Sequence, residues 1–181
     1  ANASLNTTPI TFNVTLNEDG NVCNYTLDNG VNNVTMQRAG PRNYNATNSS
    51  IADGSYTARY YCWDMADNLN STANRTFSFD ATLPIVTINQ PANASLNTTP
   101  VQFNVTLNED GSICRYSMDN GANNVTMQNN GNRSFNATNY SIADGSYTVR
   151  YYCNDTAGNL NSTANRTFSF DATFPTNFTF Q

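Results

Sequence analysis

Apolar and polar residues alternate along much of this chain, with the period of two that marks a half-buried β-strand. Ile10, Phe12, Val14 and Leu16 alternate with Thr11, Asn13 and Thr15. The longest run follows an Asp53-Gly-Ser55 turn, and along it Tyr56, Ala58, Tyr60 and Cys62 share one face while Thr57, Arg59, Tyr61 and Trp63 share the other. Further strands are expected over residues 22–27, near 34–36, over 44–47, and over 74–80 with Phe77 and Phe79 pointing inward. Residues 1–9, 37–42 and 64–68 read as loops, and Asn17-Glu-Asp-Gly20 and Asp28-Asn-Gly30 as turns. No helical period of about 3.6 occurs. Short strands separated by turn signals predict an all-β fold of antiparallel β-sandwiches.

The pattern occurs twice. Residues 1–90 align with residues 92–181 without a gap, and 66 of the 90 positions are identical. A period near 90 suits one sandwich domain rather than a solenoid unit. The chain therefore reads as two tandem domains, 1–83 and 84–174, with a Pro-stiffened linker at Asp80-Ala-Thr-Leu-Pro84 and a C-terminal segment, 175–181. The second domain opens on an apolar strand, Ile85-Val-Thr-Ile88, which the first lacks ahead of Ala1; the equivalent segment follows the second domain and carries Phe178 and Phe180 around Thr179. The repeats diverge most here, differing at six of the eight positions 83–90 and at 18 of the other 82. An uncovered sheet edge is completed by an added strand. Two expectations follow: Phe178 and Phe180 of one copy complete the first domain of the next, giving a head-to-tail filament, or the chain belongs to a longer covalent array.

Asparagine alters the picture. It accounts for 33 of 181 residues, and 20 of these begin an Asn-x-Ser/Thr sequon: Asn2, Asn6, Asn13, Asn24, Asn33, Asn45, Asn48, Asn70, Asn74, Asn93, Asn97, Asn104, Asn124, Asn132, Asn136, Asn139, Asn154, Asn161, Asn165 and Asn177. Chance placement of the Ser and Thr would give about seven. The excess predicts dense N-glycosylation and hence secretion. Lys and His are absent and the formal charge is −5, which argues against nucleic acid and anionic membrane as partners. No apolar run approaches the roughly 20 residues of a membrane span.

Cys23, Cys62, Cys114 and Cys153 stand two per repeat. Four cysteines allow three pairings, and the repeat favours Cys23–Cys62 and Cys114–Cys153. With no His and no Cys-x-x-Cys, neither a zinc site nor an activated thiol is expected. Disulfides agree with an extracellular setting.

The run from Asp144-Gly-Ser-Tyr-Thr-Val-Arg-Tyr-Tyr-Cys153 through Asn154-Asp-Thr-Ala-Gly-Asn159, followed by Phe168-Ser-Phe-Asp-Ala-Thr-Phe-Pro175, resembles the immunoglobulin-like repeats of prokaryotic surface proteins. The resemblance covers the last third of each repeat. It implies spacers, stalks, adhesins or fibre subunits, often glycosylated. Two departures from antibody domains stand out. The first cysteine falls on the third expected strand, which places the expected bond within one sheet, and the single Trp, Trp63, becomes Asn154 in the second repeat. Tyr60 and Tyr151 occupy the tyrosine-corner position, with Tyr56 and Tyr147 competing for the role.

Candidate chemistry is sparse. Glu18-Asp19 and Glu109-Asp110 are adjacent carboxylates, but neighbours in a tight turn point apart, which suits a hairpin better than a glycosidase pair. Asp64, Asp67 and Asn68 offer oxygen ligands for Ca²⁺, or form an ordinary Asx turn. Tyr61 or Tyr140 could stack on sugars. Arg59 and Arg150 read as structural. No enzyme activity, cofactor or metal is expected. The reading is an extracellular structural glycoprotein whose partners are copies of itself and its own N-glycans. Its rival is an adhesin that binds carbohydrate or a host protein through loop tips.

Overall fold

The computed structural model describes residues 3–176. Two compact units, Ala1–Thr82 and Leu83–Gln181, divide the chain. Among the described residues both are built from strands alone.

In the first unit the strands are β1 (Ala3–Leu5), β2 (Ile10–Thr15), β3 (Gly20–Thr26), β4 (Val34–Thr35), β5 (Gln37–Arg38), β6 (Asn43–Asn48), β7 (Gly54–Asp64), β8 (Leu69–Asn70) and β9 (Asn74–Phe79). The second unit has β10 (Val86–Gln90), β11 (Ser95–Leu96), β12 (Val101–Leu107), β13 (Gly111–Ser117), β14 (Val125–Thr126), β15 (Gln128–Asn129), β16 (Ser134–Asn139), β17 (Gly145–Asp155), β18 (Leu160–Asn161) and β19 (Asn165–Phe170). One sheet of each unit is built alike, in the orders β1-β9-β7-β3-β4 and β11-β19-β17-β13-β14, with β8 and β18 paired to β7 and β17. The other sheets differ: β2-β6-β5 has three strands, and β10-β12-β16-β15 has four.

The long strand that begins at Gly54 in the first unit and at Gly145 in the second, inside the expected Asp-Gly-Ser turn, is the centre of each first sheet. β7 pairs with β3 and β9 in registers that set Cys23 opposite Cys62, Tyr25 opposite Tyr60 and Tyr56 opposite Phe77. Its period of two sends Ala58, Tyr60 and Cys62 into the core. Phe12 crosses from the second sheet to stack on Tyr25 at 4.2 Å, as Phe103 does on Tyr116 at 4.1 Å, and offset aromatic pairs of this kind add to their area burial. Gly20 and Gly111 leave no room for a side chain: a Cβ on either would lie 2.5 Å from Cδ1 of Leu16 or Leu107.

Both disulfides form as the repeat favours, Cys23–Cys62 and Cys114–Cys153, with Cα atoms 4.1 Å apart. The cysteines are directly opposed on adjacent strands, so each bond lies within one sheet.

Three local expectations change. Within the expected loop 37–42, Gln37–Arg38 form the short strand β5, paired with β6 with Gln37 opposite Asn45; two residues are too few to show a period. Residues 3–5 form a strand rather than a loop and run parallel to β9, Leu5 opposite Phe79; three residues are too few for a period of two to register. The tyrosine corner belongs to Tyr56 and Tyr147, whose hydroxyls donate to the carbonyls of Ala52 (2.8 Å) and Ala143 (2.7 Å). Tyr60 and Tyr151 face inward and serve elsewhere.

Candidate functional site: the open edge of the first sandwich

Among the described residues the two units differ in strand content at one edge, which in the second unit is covered. There β10 runs antiparallel to β12, with Val86 opposite Leu107, Ile88 opposite Val105 and Gln90 opposite Asn104; Asn89 is a bulge between them. Val86 and Ile88 pack on the core. Side chains hold the strand at both ends. Asn161 Nδ2 donates to the Pro84 carbonyl at 2.8 Å, and Asn108 Oδ1 accepts from the Ile85 amide at 2.7 Å. At the far end Tyr151 donates to the Gln90 carbonyl at 2.9 Å and Arg166 Nη1 to the Pro91 carbonyl at 3.0 Å. Asn89 Nδ2 donates to Asn104 Oδ1 at 2.7 Å.

The first unit carries every one of these holding residues, as Asn70, Asn17, Tyr60, Arg75 and Asn13. Among the described residues no strand pairs with the outer edge of β2. A groove of about 490 Å³ opens there, lined by Ile10, Phe12, Val14, Ala58, Tyr60 and Phe77. It continues through spaces of about 290 and 140 Å³ past Leu16, Asn17 and Asn70. Exposure follows it: Tyr60 is 9% exposed against 0% for Tyr151, and Val14 and Leu16 are half-buried where Val105 and Leu107 are buried. Burial pushes both tyrosine hydroxyls up from their ordinary pKa, while the positive charge of Arg75 or Arg166 pulls the other way. The site is thus an apolar trough with a row of backbone amides on one wall and polar anchors at its ends, which suits an extended peptide strand. Phe178 and Phe180, the expected donor residues, lie outside the described residues, as do Asn2 and Asn177.

Sequence reasoning points to this edge but not to its anchors. Asn70 and Asn161 stood out only as sequons, and Arg75 and Arg166 did not stand out at all; identity between the repeats is too general to single them out.

The remaining candidates fall into ordinary roles. Asp64 Oδ1 accepts from the amides of Ala66 (2.7 Å) and Asn68 (2.9 Å), and Asp64 Oδ2 from Asn68 Nδ2 (2.8 Å). Asp155 does the same for Gly158 and Asn159. Both loops are Asx turns, and these hydrogen bonds hold the Asp64 carboxyl below its ordinary pKa, the Asn68 side chain contributing most. Asp19 and Asp110 pair with Arg42 and Arg133 at 3.1 and 2.9 Å on the surface. On β7 the outward Arg59 is exposed and Tyr61 half-buried, and Arg150 is half-buried on β17. Tyr140 is 74% exposed. Of the described sequon asparagines, nine are exposed, nine half-buried and none buried.

A family model described as "Bacterial Ig-like domain" matches residues 8–81, and a second of that description matches residues 88–172. The chain belongs to the bacterial Ig-like domain proteins. Halomucin of Haloquadratum walsbyi (strain DSM 16790 / HBSQ001) is 40% identical over 82 residues, which cover 45% of this chain and 1% of halomucin. The fibronectin(III)-like modules of Clostridium thermocellum CbhA match with a TM-score of 0.52 at 10% identity, over 100% of this chain and 96% of that one. The mouse nectin-like molecule 4 ectodomain matches at 0.47 and 11% identity, over 94% and 65%. The likeness to the CbhA modules bears on fold alone. The Ig-like repeats and the likeness to halomucin place this protein outside the cell or at its surface.

Proposed function

We propose that this protein is a non-enzymatic structural glycoprotein, a subunit or segment of a surface filament, stalk or coat in which Ig-like repeats join head to tail by strand insertion. The open edge of β2 carries the reading, because it keeps the five side chains that hold β10 in the second unit. A strand inserted there supplies the missing backbone hydrogen bonds and covers the apolar trough. The disulfides stiffen each repeat, and N-glycans on the exposed sequons shield it from proteases. The name of halomucin, that of a mucin, agrees with a glycosylated coat. The rival adhesin reading calls for a glycan-free aromatic loop tip, whereas the exposed Tyr140 is itself the middle residue of the sequon that begins at Asn139.

Electron microscopy and intact-mass spectrometry of the natively produced protein test this. Linear assemblies or continuous stalks with most sequons occupied are expected. Monomers carrying few glycans would overturn it.

A further inference from the structure

Strand insertion leaves open which strand is inserted, and the groove's dimensions bear on that. The inference rests on the reading above and names the partner at that site. Position 58 is Ala in the first unit, where the second has Val149; position 10 is Ile, where the second has Val101. Ala58 and Ile10 both line the trough. The change at 58 removes two carbons from the floor, and the change at 10 returns one to the β2 wall. Net, these two positions hold one side-chain carbon fewer in the first unit than in the second, with the smaller residue, Ala58, at the centre of β7.

We infer that this trough takes the segment Phe178-Thr179-Phe180-Gln181 of a second copy, with Ala58 selecting aromatic over aliphatic side chains. The sequence fits in one register. Gapless alignment of the repeats puts Asn177 and Thr179 at the inward places of Val86 and Ile88 and turns both phenylalanines outward. A shift of one residue flips every side chain to the other face. Phe178 then stands opposite Leu16 and Phe180 opposite Val14, the counterparts of Leu107 and Val105. The shift also removes the need for a bulge. In β10, Asn89 is looped out between Ile88 and Gln90; the donor has no residue between Phe180 and Gln181. Gln181 therefore arrives opposite Asn13 as Gln90 does opposite Asn104, with its carbonyl toward Tyr60. An aromatic ring above the small Ala58 replaces the smaller side chains of β10, and pairing along a β-edge supplies the backbone contacts.

The test uses the full chain. Phe178→Ser/Phe180→Ser should leave the protein monomeric by mass photometry with a β-sheet circular dichroism spectrum unchanged, where the unaltered chain forms multimers. A synthetic peptide of residues 174–181 should bind this variant, read by fluorescence anisotropy, at least tenfold more tightly than a peptide of residues 84–91. Adding Ala58→Val, which installs the residue the second unit already carries, should weaken the first peptide about tenfold and leave the second within about twofold. Should A58V unfold by circular dichroism, Ala58→Ser, which keeps the trough open, must retain the aromatic preference. Preference for the 84–91 peptide would overturn the inference while leaving strand insertion intact, and would point to a covalently continuous array. Concentration-independent monomers of the unaltered chain would show its own tail, or nothing, in the groove and overturn it too. If neither peptide binds, the strand-insertion reading itself fails.

Discussion

Tyr151 on β17 donates its phenolic hydrogen to the backbone carbonyl of Gln90, 2.9 Å away and 61 residues earlier in the chain. Its counterpart Tyr60 has the same place on β7 and finds no such carbonyl among the described residues. Tyr151→Phe leaves a carbonyl without its donor inside a covered groove, which costs about 1–3 kcal/mol. Tyr60→Phe should cost under about 0.5 kcal/mol in a chain whose groove is open, since its hydroxyl exchanges only water. Urea unfolding of the two variants in the Phe178→Ser/Phe180→Ser background measures the difference.

A second asymmetry lies at Tyr44 on β6. Its hydroxyl is buried without a hydrogen-bond partner, and it would sit 2.8 Å from a Cβ on Gly20. The second unit has Phe135 there, also buried. Tyr44→Phe removes a desolvated hydroxyl and should stabilise the first unit by about 1 kcal/mol. Phe135→Tyr should do the reverse. Differential scanning calorimetry resolves both as shifts of the corresponding transition.

The disulfides each close a loop with a sequence separation of 39. Chain entropy assigns a loop of that size about 4 kcal/mol. Cys114→Ala/Cys153→Ala should therefore lower the unfolding free energy of the second unit by about 2–4 kcal/mol, measured in urea. A loss below about 1 kcal/mol would mean that the strong pairing of β13 with β17 already restricts the unfolded chain.

Much of this fold was legible because β2, β7 and β9 alternate cleanly and the chain states the pattern twice. The unpaired edge of β2 among the described residues was legible for the same reason: a repeat makes a difference between its copies visible. Other features were not. The parallel strand Ala3–Leu5 is too short to show a period. The corner tyrosine was ambiguous because Tyr56 and Tyr60 share one face of β7, and only the carbonyl of Ala52 separates their roles. The anchors Asn70, Tyr60 and Arg75 come from three different strands or their margins, so no local spacing links them. Their common purpose emerges only where Asn161, Tyr151 and Arg166 grip a strand.

Asp28 and Asp119 make the tight turns after β3 and β13 sensitive to acid. The amide of Asn32, the hydroxyl of Thr26 and the side chain of Asn32 all donate to Asp28, which lowers its pKa to about 2. Asn123 and Ser117 act likewise on Asp119, also to about 2. The folded state thus holds these carboxylates ionised below their ordinary value of 3.8. Their stabilisation is present in full above about pH 4 and is lost as pH falls through about 2, because the unfolded chain binds the protons first. Unfolding midpoints followed from pH 5 to 2 should fall across that window. Asp28→Asn/Asp119→Asn should flatten the fall.

The sequons are not equivalent, and the strand-holding residues predict how they differ. The sugar of an N-glycan bonds to Nδ2 of asparagine. Asn161 Nδ2 donates to the Pro84 carbonyl at 2.8 Å and is half-buried under the start of β10. A glycan there must displace that strand end. Asn93 and Asn97 are exposed in the same unit. Site-resolved mass spectrometry of the native glycoprotein should find Asn93 and Asn97 occupied and Asn161 largely bare. Asn70 stands at the same place in the first unit, exposed beside the open groove. It should be bare in assembled material, where a strand end needs its amide, and glycosylated in any fraction that stays monomeric. Asn70→Gln would then raise the assembled fraction by removing a sugar that competes with the strand, and full occupancy of Asn70 within assembled protein would refute the role of that amide in holding it.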